Sequence, residues 1–332
     1  MTQAQDLSGP LLRSVSRSFY LTIRVLPKPL RDPIGLAYLL ARTSDTIADS
    51  AEAPADLRLR HLANFGRMVA EQTREGIAEL QRELLPSDES ERTLLAKLPE
   101  CLDWLDRIAS SERDEIRLVL EKIIRGQSLD LQRFPGKTEA GLQQLTALEN
   151  AAQLEEYTYL VAGCVGEFWT RICLQKLPRY SRIDPAELCR IGVNYGKGLQ
   201  LVNILRDLPG DLRTGRCYLP QDELRQAGLS PEDLLTKPAE ARPIFSRWHV
   251  RALELLEDGS RYISAIRSLR VRAGCYLPWY LGVKTLELLA RTSPLEVSAR
   301  IKVPRTTVRQ ALFKAPLAAF SNLPLSATIA SR

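Results

Sequence analysis

The chain has 332 residues, 45% hydrophobic and 26% charged, with a net charge of +6. That composition is enough for one sizeable core, and Lys and Arg spread without blocks point away from dedicated nucleic-acid binding and toward an anionic small ligand or a lipid surface. No run approaches the ~20 apolar residues of a membrane span. Nothing at the N-terminus reads as a secretory signal, and six cysteines without CxxC spacing read as reduced core thiols of a cytoplasmic protein.

Helical periodicity dominates, no stretch alternates convincingly as a strand, and the expected fold is all-α. Leu7 to Tyr20 reads as a short opening segment and Pro27 to Pro33 as a turn. A buried helix is expected from about Ile34 to Ala48. An amphipathic one follows over Ala55 to Leu80, with Leu62, Phe65 and Val69 inward. Leu80 to Ser90 reads as a solvated loop, and His61 and His249 as surface or edge residues. Further helices are expected over Glu91 to Ala109, Glu112 to Phe134 and Leu148 to Leu177. The clearest start signal is Asp184 before Pro185, with Glu187 at the third helical position. From there Leu188, Ile191, Tyr195, Leu199, Val202 and Leu205 form an apolar stripe, and Gly192, Gly196, Gln200, Asn203 and Asp207 lie on another face. The glycines at 192, 196 and 198 read more as backbone offered to a ligand than as packing gaps, and Pro209 with Gly210 is expected to stop the helix. A short helix near Ser230 and long ones over Ala239 to Leu269 and Ala273 to Ala290 complete the chain. No Gly/Ser linker divides it, so residues 1–314 read as one domain and 315–332 as a flexible tail.

Two acid clusters sit on these helices. Tyr38, Arg42, Asp45 and Asp49 share one helical face, with the two carboxylates one turn apart. Asp207 follows Asn203 by four residues, and Asp211 stands among Arg206, Arg213 and Arg216. Acid pairs four apart arise by chance about five times in a chain with 40 acidic residues, so spacing alone carries little weight. Here both pairs belong to largely apolar helices, where buried carboxylates are costly without cations. Magnesium suits them, since it takes a few carboxylates plus substrate phosphates. Arginine forks could receive the same diphosphate. An alkyl diphosphate so held can lose pyrophosphate, and the resulting carbocation needs a dry pocket lined by aromatics such as Phe19, Tyr38, Tyr157 and Phe168.

In order and spacing, SRSFYLTIRVLP, YLLARTSDTIAD, EYTYLVAGCVGEFW and YGKGLQLVNILRDLPGDLRTGRCYLP resemble the squalene and phytoene synthases, the head-to-head prenyl transferases. The resemblance implies an isoprenoid synthase helical bundle with a central active-site cavity. It also implies Mg2+-dependent condensation of two farnesyl-type diphosphates to a cyclopropyl diphosphate that rearranges. By position it nominates Asp45, Asp49, Asn203, Asp207 and Asp211 as metal ligands. Ser16, Arg17, Phe19, Tyr38, Arg42, Gln200, Asn203, Arg206 and Arg216 would contact substrate, and Tyr157 would handle protons or stabilise cations.

The YTYLVAG context and IIRGQSLDLQRF (Ile123 to Phe134) look closer to bacterial squalene synthases. The late ARIKVPRTTVRQAL resembles the segment that carries basic NADPH contacts there, which nominates Lys302 and Arg305. No GxGxxG follows a strand, so NADPH would bind without a dinucleotide fold. The sequence departs from the family where Ala48 replaces a third acid of the first motif, and where Pro209-Gly210 would let Asp211 leave the helical face of Asp207. The membrane helix of eukaryotic squalene synthases is absent, which leaves peripheral membrane contact at most. The expected function is squalene synthesis from farnesyl diphosphate. Dehydrosqualene or phytoene synthesis without NADPH, or an inactive helical assembly factor, are the alternatives.

Overall fold

The computed structural model describes residues 7–16, 18–50, 52–135, 144–295, 301–304 and 306–310; at 18, 19 and 21 it describes the backbone alone. Backbone contacts divide the chain into two compact units. One comprises 1–132 and 168–178, the other 133–167 and 179–332.

In the first unit a single π turn, Leu7–Leu11, leads into α1 (Leu12–Ser16) and α2 (Ser18–Val25), followed by α3 (Lys28–Ala48). The expected turn at Pro27 to Pro33 is therefore helix. Pro27 caps α3 in an extended conformation, and Pro29 occupies the first turn, where its missing N–H has no partner to lose. Leu30, Leu36, Leu39, Leu40 and Ile47 of α3 are fully buried, and the helix packs against α4 (Ala55–Glu71), α6 (Glu89–Ala96) and α7 (Leu98–Arg107).

The helix expected over Ala55 to Leu80 is two, α4 and α5 (Ile77–Glu83). The chain breaks where Gln72 and Gly76 take positive φ, 58° and 86°. Leu62, Phe65 and Val69 are buried as expected, whereas His61, read as a surface residue, is fully buried. Its Nε2 lies 2.9 Å from Glu83 Oε2, so a carboxylate of the supposed solvated loop, placed on α5, serves that ring nitrogen, while Nδ1 is buried without a hydrogen-bond partner among the described residues. Lys97 separates α6 from α7 because Pro99 enters at the second position of the new helix. The 24-residue α8 (Ser110–Arg133) follows.

The second unit opens with β1 (Thr146–Leu148), which pairs in parallel with β2 (Arg216–Pro220) through Thr146↔Arg216 and Ala147↔Cys217. These short strands are an addition to an otherwise helical architecture. The expected helix Leu148 to Leu177 begins at Ala151 as α9 (Ala151–Thr158), loosens into a π turn over Tyr159–Gly163, and resumes as α10 (Cys164–Lys176). The 29-residue α11 (Pro185–Arg213) starts as expected: Asp184 Oδ1 accepts from the N–H groups of Ala186 at 2.8 Å and Glu187 at 3.2 Å.

Pro209 and Gly210 do not stop α11. The helix runs on to Arg213 and ends at Gly215, whose φ of 84° makes it the true terminator. The helices α12 (Gln221–Gln226), α13 (Asp233–Thr236), α14 (Pro238–Ala265) and α15 (Leu269–Arg291) complete the unit, with α14 against α11 and α15 against α14.

Two glycine contacts draw α11 against the segment around the π turn. A Cβ at Gly166 would overlap the Gly192 carbonyl, and one at Gly196 the Ala162 carbonyl, backbone against backbone. At Gly198 it would press on Leu255 of α14. Close packing thus accounts for Gly196 and Gly198, and Gly192 is the surface on which Gly166 rests, which corrects the reading of these glycines as ligand-facing backbone. All six cysteines are free thiols. Burial pushes Cys101 and Cys217 up to about 12, making both inert.

Candidate active site

The first acid set belongs entirely to the first unit. Asp45 stands three residues after Arg42 on α3. Its Oδ2 lies 3.8 Å from an Arg42 nitrogen, and its Oδ1 accepts a 2.7 Å hydrogen bond from Gln127 Nε2 of α8. Arg42 is also ion-paired to Glu91 of α6. Asp49 caps the C-terminus of α3, donating its backbone N–H to the Asp45 carbonyl at 2.8 Å, and is exposed.

Water reaches 46% of the Asp45 side chain, yet the carboxyl sits in a crowded recess. Burial, and then the negative charge of Asp49, push it from 3.8 up to about 6, against the opposing pull of Arg42 and the Gln127 hydrogen bond. An acid held this way is a carboxylate short of positive charge. Tyr38, two turns before Asp45 on the same helix, donates its hydroxyl to the Val15 carbonyl at 3.3 Å. Burial first of all raises the phenol. Ser16 is buried and turns its hydroxyl back to the Leu12 carbonyl. Arg17 and the Phe19 side chain lie outside the described residues.

The second set belongs to the second unit. Because α11 continues past Pro209, Asp207 and Asp211 share a face one turn apart, about 6 Å along the axis, and Asn203 precedes Asp207 by the same step. The expected departure of Asp211 from that face does not occur. Arg206 grips Asp207 with two hydrogen bonds, Nε to Oδ1 at 2.9 Å and a terminal nitrogen to Oδ2 at 2.5 Å. A cavity of about 280 Å³ is lined by Arg206, Asp207, Pro209, Gly210, Asp211 and Arg213. Asn203 is exposed, and Gln200 and Arg216 are half-buried.

Tyr157, also half-buried, lies on α9 and stacks on Tyr218 of β2 with ring centroids 4.8 Å apart. Its hydroxyl donates to Tyr218 at 3.3 Å, and Phe134 meets Tyr218 edge-on at 5.1 Å. Phe168 is buried in the core of the first unit.

The structure therefore gathers Arg42, Asp45, Glu91 and Gln127 in one unit, and Arg206, Asp207 and Asp211 in the other. Sequence reasoning missed Gln127, Glu91 and Tyr218. Gln127 and Tyr218 do lie inside stretches that carry the resemblance, so their sequence context was a usable signal; Glu91 gave none. Lys302 is exposed on an irregular stretch, and Arg305 lies outside the described residues.

A family model described as squalene/phytoene synthase matches residues 12–307. The chain belongs to the squalene/phytoene synthase family. Members of this family are prenyl transferases acting on prenyl diphosphates. This squalene/phytoene synthase family chain is 30% identical over 231 residues to a bifunctional lycopene cyclase/phytoene synthase of Gibberella fujikuroi, an alignment covering 69% of the chain and 37% of the relative. A squalene synthase of Gibberella zeae is 26% identical over 305 residues, 91% of the chain and 62% of the relative. The chain thus spans about a third of the longer relative and under two thirds of the other. In structure it is similar to TcSQS in complex with a ligand, with a TM-score of 0.77 at 20% identity, covering 96% of this chain and 88% of that one. That likeness establishes the isoprenoid synthase helical-bundle fold.

The residues present fit a hard divalent cation. Each set offers carboxylate oxygens one turn apart beside an arginine. Among the described residues no three of His, Cys, Asp and Glu converge into a full cage. That donor set matches Mg2+, which keeps waters and shares phosphate oxygens, better than a metal wanting nitrogen or sulfur ligands.

Proposed function

We propose that this protein condenses two farnesyl diphosphates head to head to presqualene diphosphate and, with NADPH, rearranges that intermediate reductively to squalene. The observation that carries the proposal is that both acid motifs lie on helices at i, i+4 spacing, within a chain whose family match runs almost end to end. In this reading Asp45 and Asp49 of the first unit, and Asn203, Asp207 and Asp211 of the second, would hold Mg2+ for substrate diphosphate. When bound, Mg2+ supplies charge neutralisation for the departing pyrophosphate.

The protein's own groups do the rest. Arg42 and Arg206, now committed to Glu91 and Asp207, exchange those partners for phosphate oxygens, with Arg17, Arg216, Ser16 and Gln200 as further contacts. Tyr157, backed by Tyr218 and Phe134, would present an aromatic face to the developing cation, and its hydroxyl would pass a proton by way of Tyr218. Phe19 and Tyr38 help exclude water. Lys302 and Arg305 are the proposed NADPH contacts. We propose a cytoplasmic location, a single isoprenoid synthase-type domain over 1–314, and peripheral contact with a membrane. No helix among the described residues is long and apolar enough to cross a membrane.

The similarity to phytoene synthases favours a second reading, in which the rearranged cation loses a proton and gives dehydrosqualene or phytoene without a reductant. Incubation with Mg2+ and either C15 or C20 diphosphate, with and without NADPH, separates the two by product mass. The expected result is squalene from the C15 substrate only when NADPH is present. A desaturated product regardless of NADPH supports the second reading, and no pyrophosphate release from either substrate would leave the inactive assembly factor standing.

A further inference from the structure

Resting on the proposed metal role of Asp45, we infer that Gln127 is a positioning residue for that carboxylate, fixing which oxygen faces the cation. Gln127 lies on α8, 82 residues away in sequence, and its Nε2 donates to Asp45 Oδ1 at 2.7 Å. The other end of the same amide is badly served: Oε1 is buried without a hydrogen-bond partner among the described residues. A buried acceptor left unpaired opposes folding, and a methionine of similar length would fill the space without that penalty. The amide is thus poor for stability at one end and useful at the other, the pattern expected where a local rule is broken for function.

What it does at the useful end follows from geometry. Arg42 approaches Oδ2 at 3.8 Å, and the Gln127 donor takes one lone pair of Oδ1, so the two contacts favour one orientation of the carboxylate. Outer partners of this kind orient a ligand and raise its affinity for metal. The assignment of Nε2 toward Asp45 is chemically fixed, because an amide oxygen facing an ionised carboxylate would be repelled.

The test is a titration of the full chain with Mn2+ as probe in the presence of inorganic pyrophosphate, followed by electron paramagnetic resonance, alongside thermal melts without metal. Gln127→Met should weaken Mn2+ binding about tenfold while the metal-free protein still melts cooperatively. Turnover should recover at saturating Mg2+, so the Mg2+ requirement rises more than kcat falls. Unchanged Mn2+ affinity, or a lowered Tm with affinity intact, would overturn the inference and make Gln127 an ordinary packing residue. If Gln127→Met does not fold, Gln127→Asn, whose amide is one methylene too short to reach Asp45, is expected to give the same loss of affinity. Asp45→Asn separates the two layers of the argument. If it leaves Mn2+ binding at the wild-type level, the metal reading of Asp45 fails; if it abolishes binding while Gln127→Met does not weaken it, only the positioning role fails.

Discussion

Asp45→Asn should lower turnover by about 10³-fold while raising the stability of the metal-free protein above pH 6. The two effects have one cause. In the folded chain the Asp45 carboxyl is pushed from 3.8 up to about 6, by burial first and by Asp49 second. Between those values the folded protein binds more protons than the unfolded chain, so wild-type stability falls as pH rises through about 4 to 6 and is level above that window. Discounted for the 46% of the side chain that water reaches, the deficit is on the order of 1 kcal/mol, or about 2 °C in Tm. Asparagine keeps the Gln127 contact in shape but carries no charge, so its advantage should appear at pH 7.5 and vanish at pH 4. Mg2+ with pyrophosphate should raise the wild-type Tm and leave the variant unmoved. A variant that turned over normally would contradict the metal role of Asp45, and one that lost stability at pH 7.5 would show that the charge is favourably paired in the fold.

Gly166→Ala and Gly196→Ala should each destabilise the second unit by about 3 kcal/mol in urea unfolding. At both positions the added methyl group meets a carbonyl of the opposing backbone, and neither helix can yield without breaking its own hydrogen bonds. Gly210→Ala is the control. Nothing lies within 4 Å of a Cβ there, and the position is helical, so alanine should stabilise by about 1 kcal/mol. Equal effects at 166, 196 and 210 would mean that backbone proximity is not what these glycines permit. In the proposed function the crossing anchors α11, which carries Gln200, Asn203, Asp207 and Asp211, against the segment that follows Tyr157.

The sequence displayed those parts of the molecule whose cause is local. Asp184, Pro185 and Glu187 announce α11 because a cap acts on the next three residues, and the apolar stripes of α3 and α4 show as period because one side of each helix is buried. Features with a distant cause were hidden. His61 looked exposed because the carboxylate that lets it be buried, Glu83, lies 22 residues away on another helix. Gln127 meets Asp45 across 82 residues. The strands β1 and β2, three and five residues long, are too short for an alternation to be seen. At Pro209 a strong local rule failed: proline withdraws one hydrogen bond, but buried Leu205, Leu208 and Leu212 keep α11 packed through it. That error bore directly on the site, since a continuous helix is what keeps Asp211 in line with Asp207. The two acid motifs, the arginines and Tyr157 were nominated by resemblance together with helical spacing, and their surroundings needed coordinates.

The central claim, as proposed, is that Asp45 and Asp207 are each ligands of the cation that neutralises a prenyl diphosphate. It is tested most directly by crystals grown with Mn2+ and farnesyl thiodiphosphate, an analogue that resists ionisation, using anomalous scattering to locate the ions. The account predicts Mn2+ at Asp45 on α3 and at Asp207 on α11, with diphosphate oxygens as further ligands. Ions confined to one helix, or a diphosphate bound away from both, would contradict it.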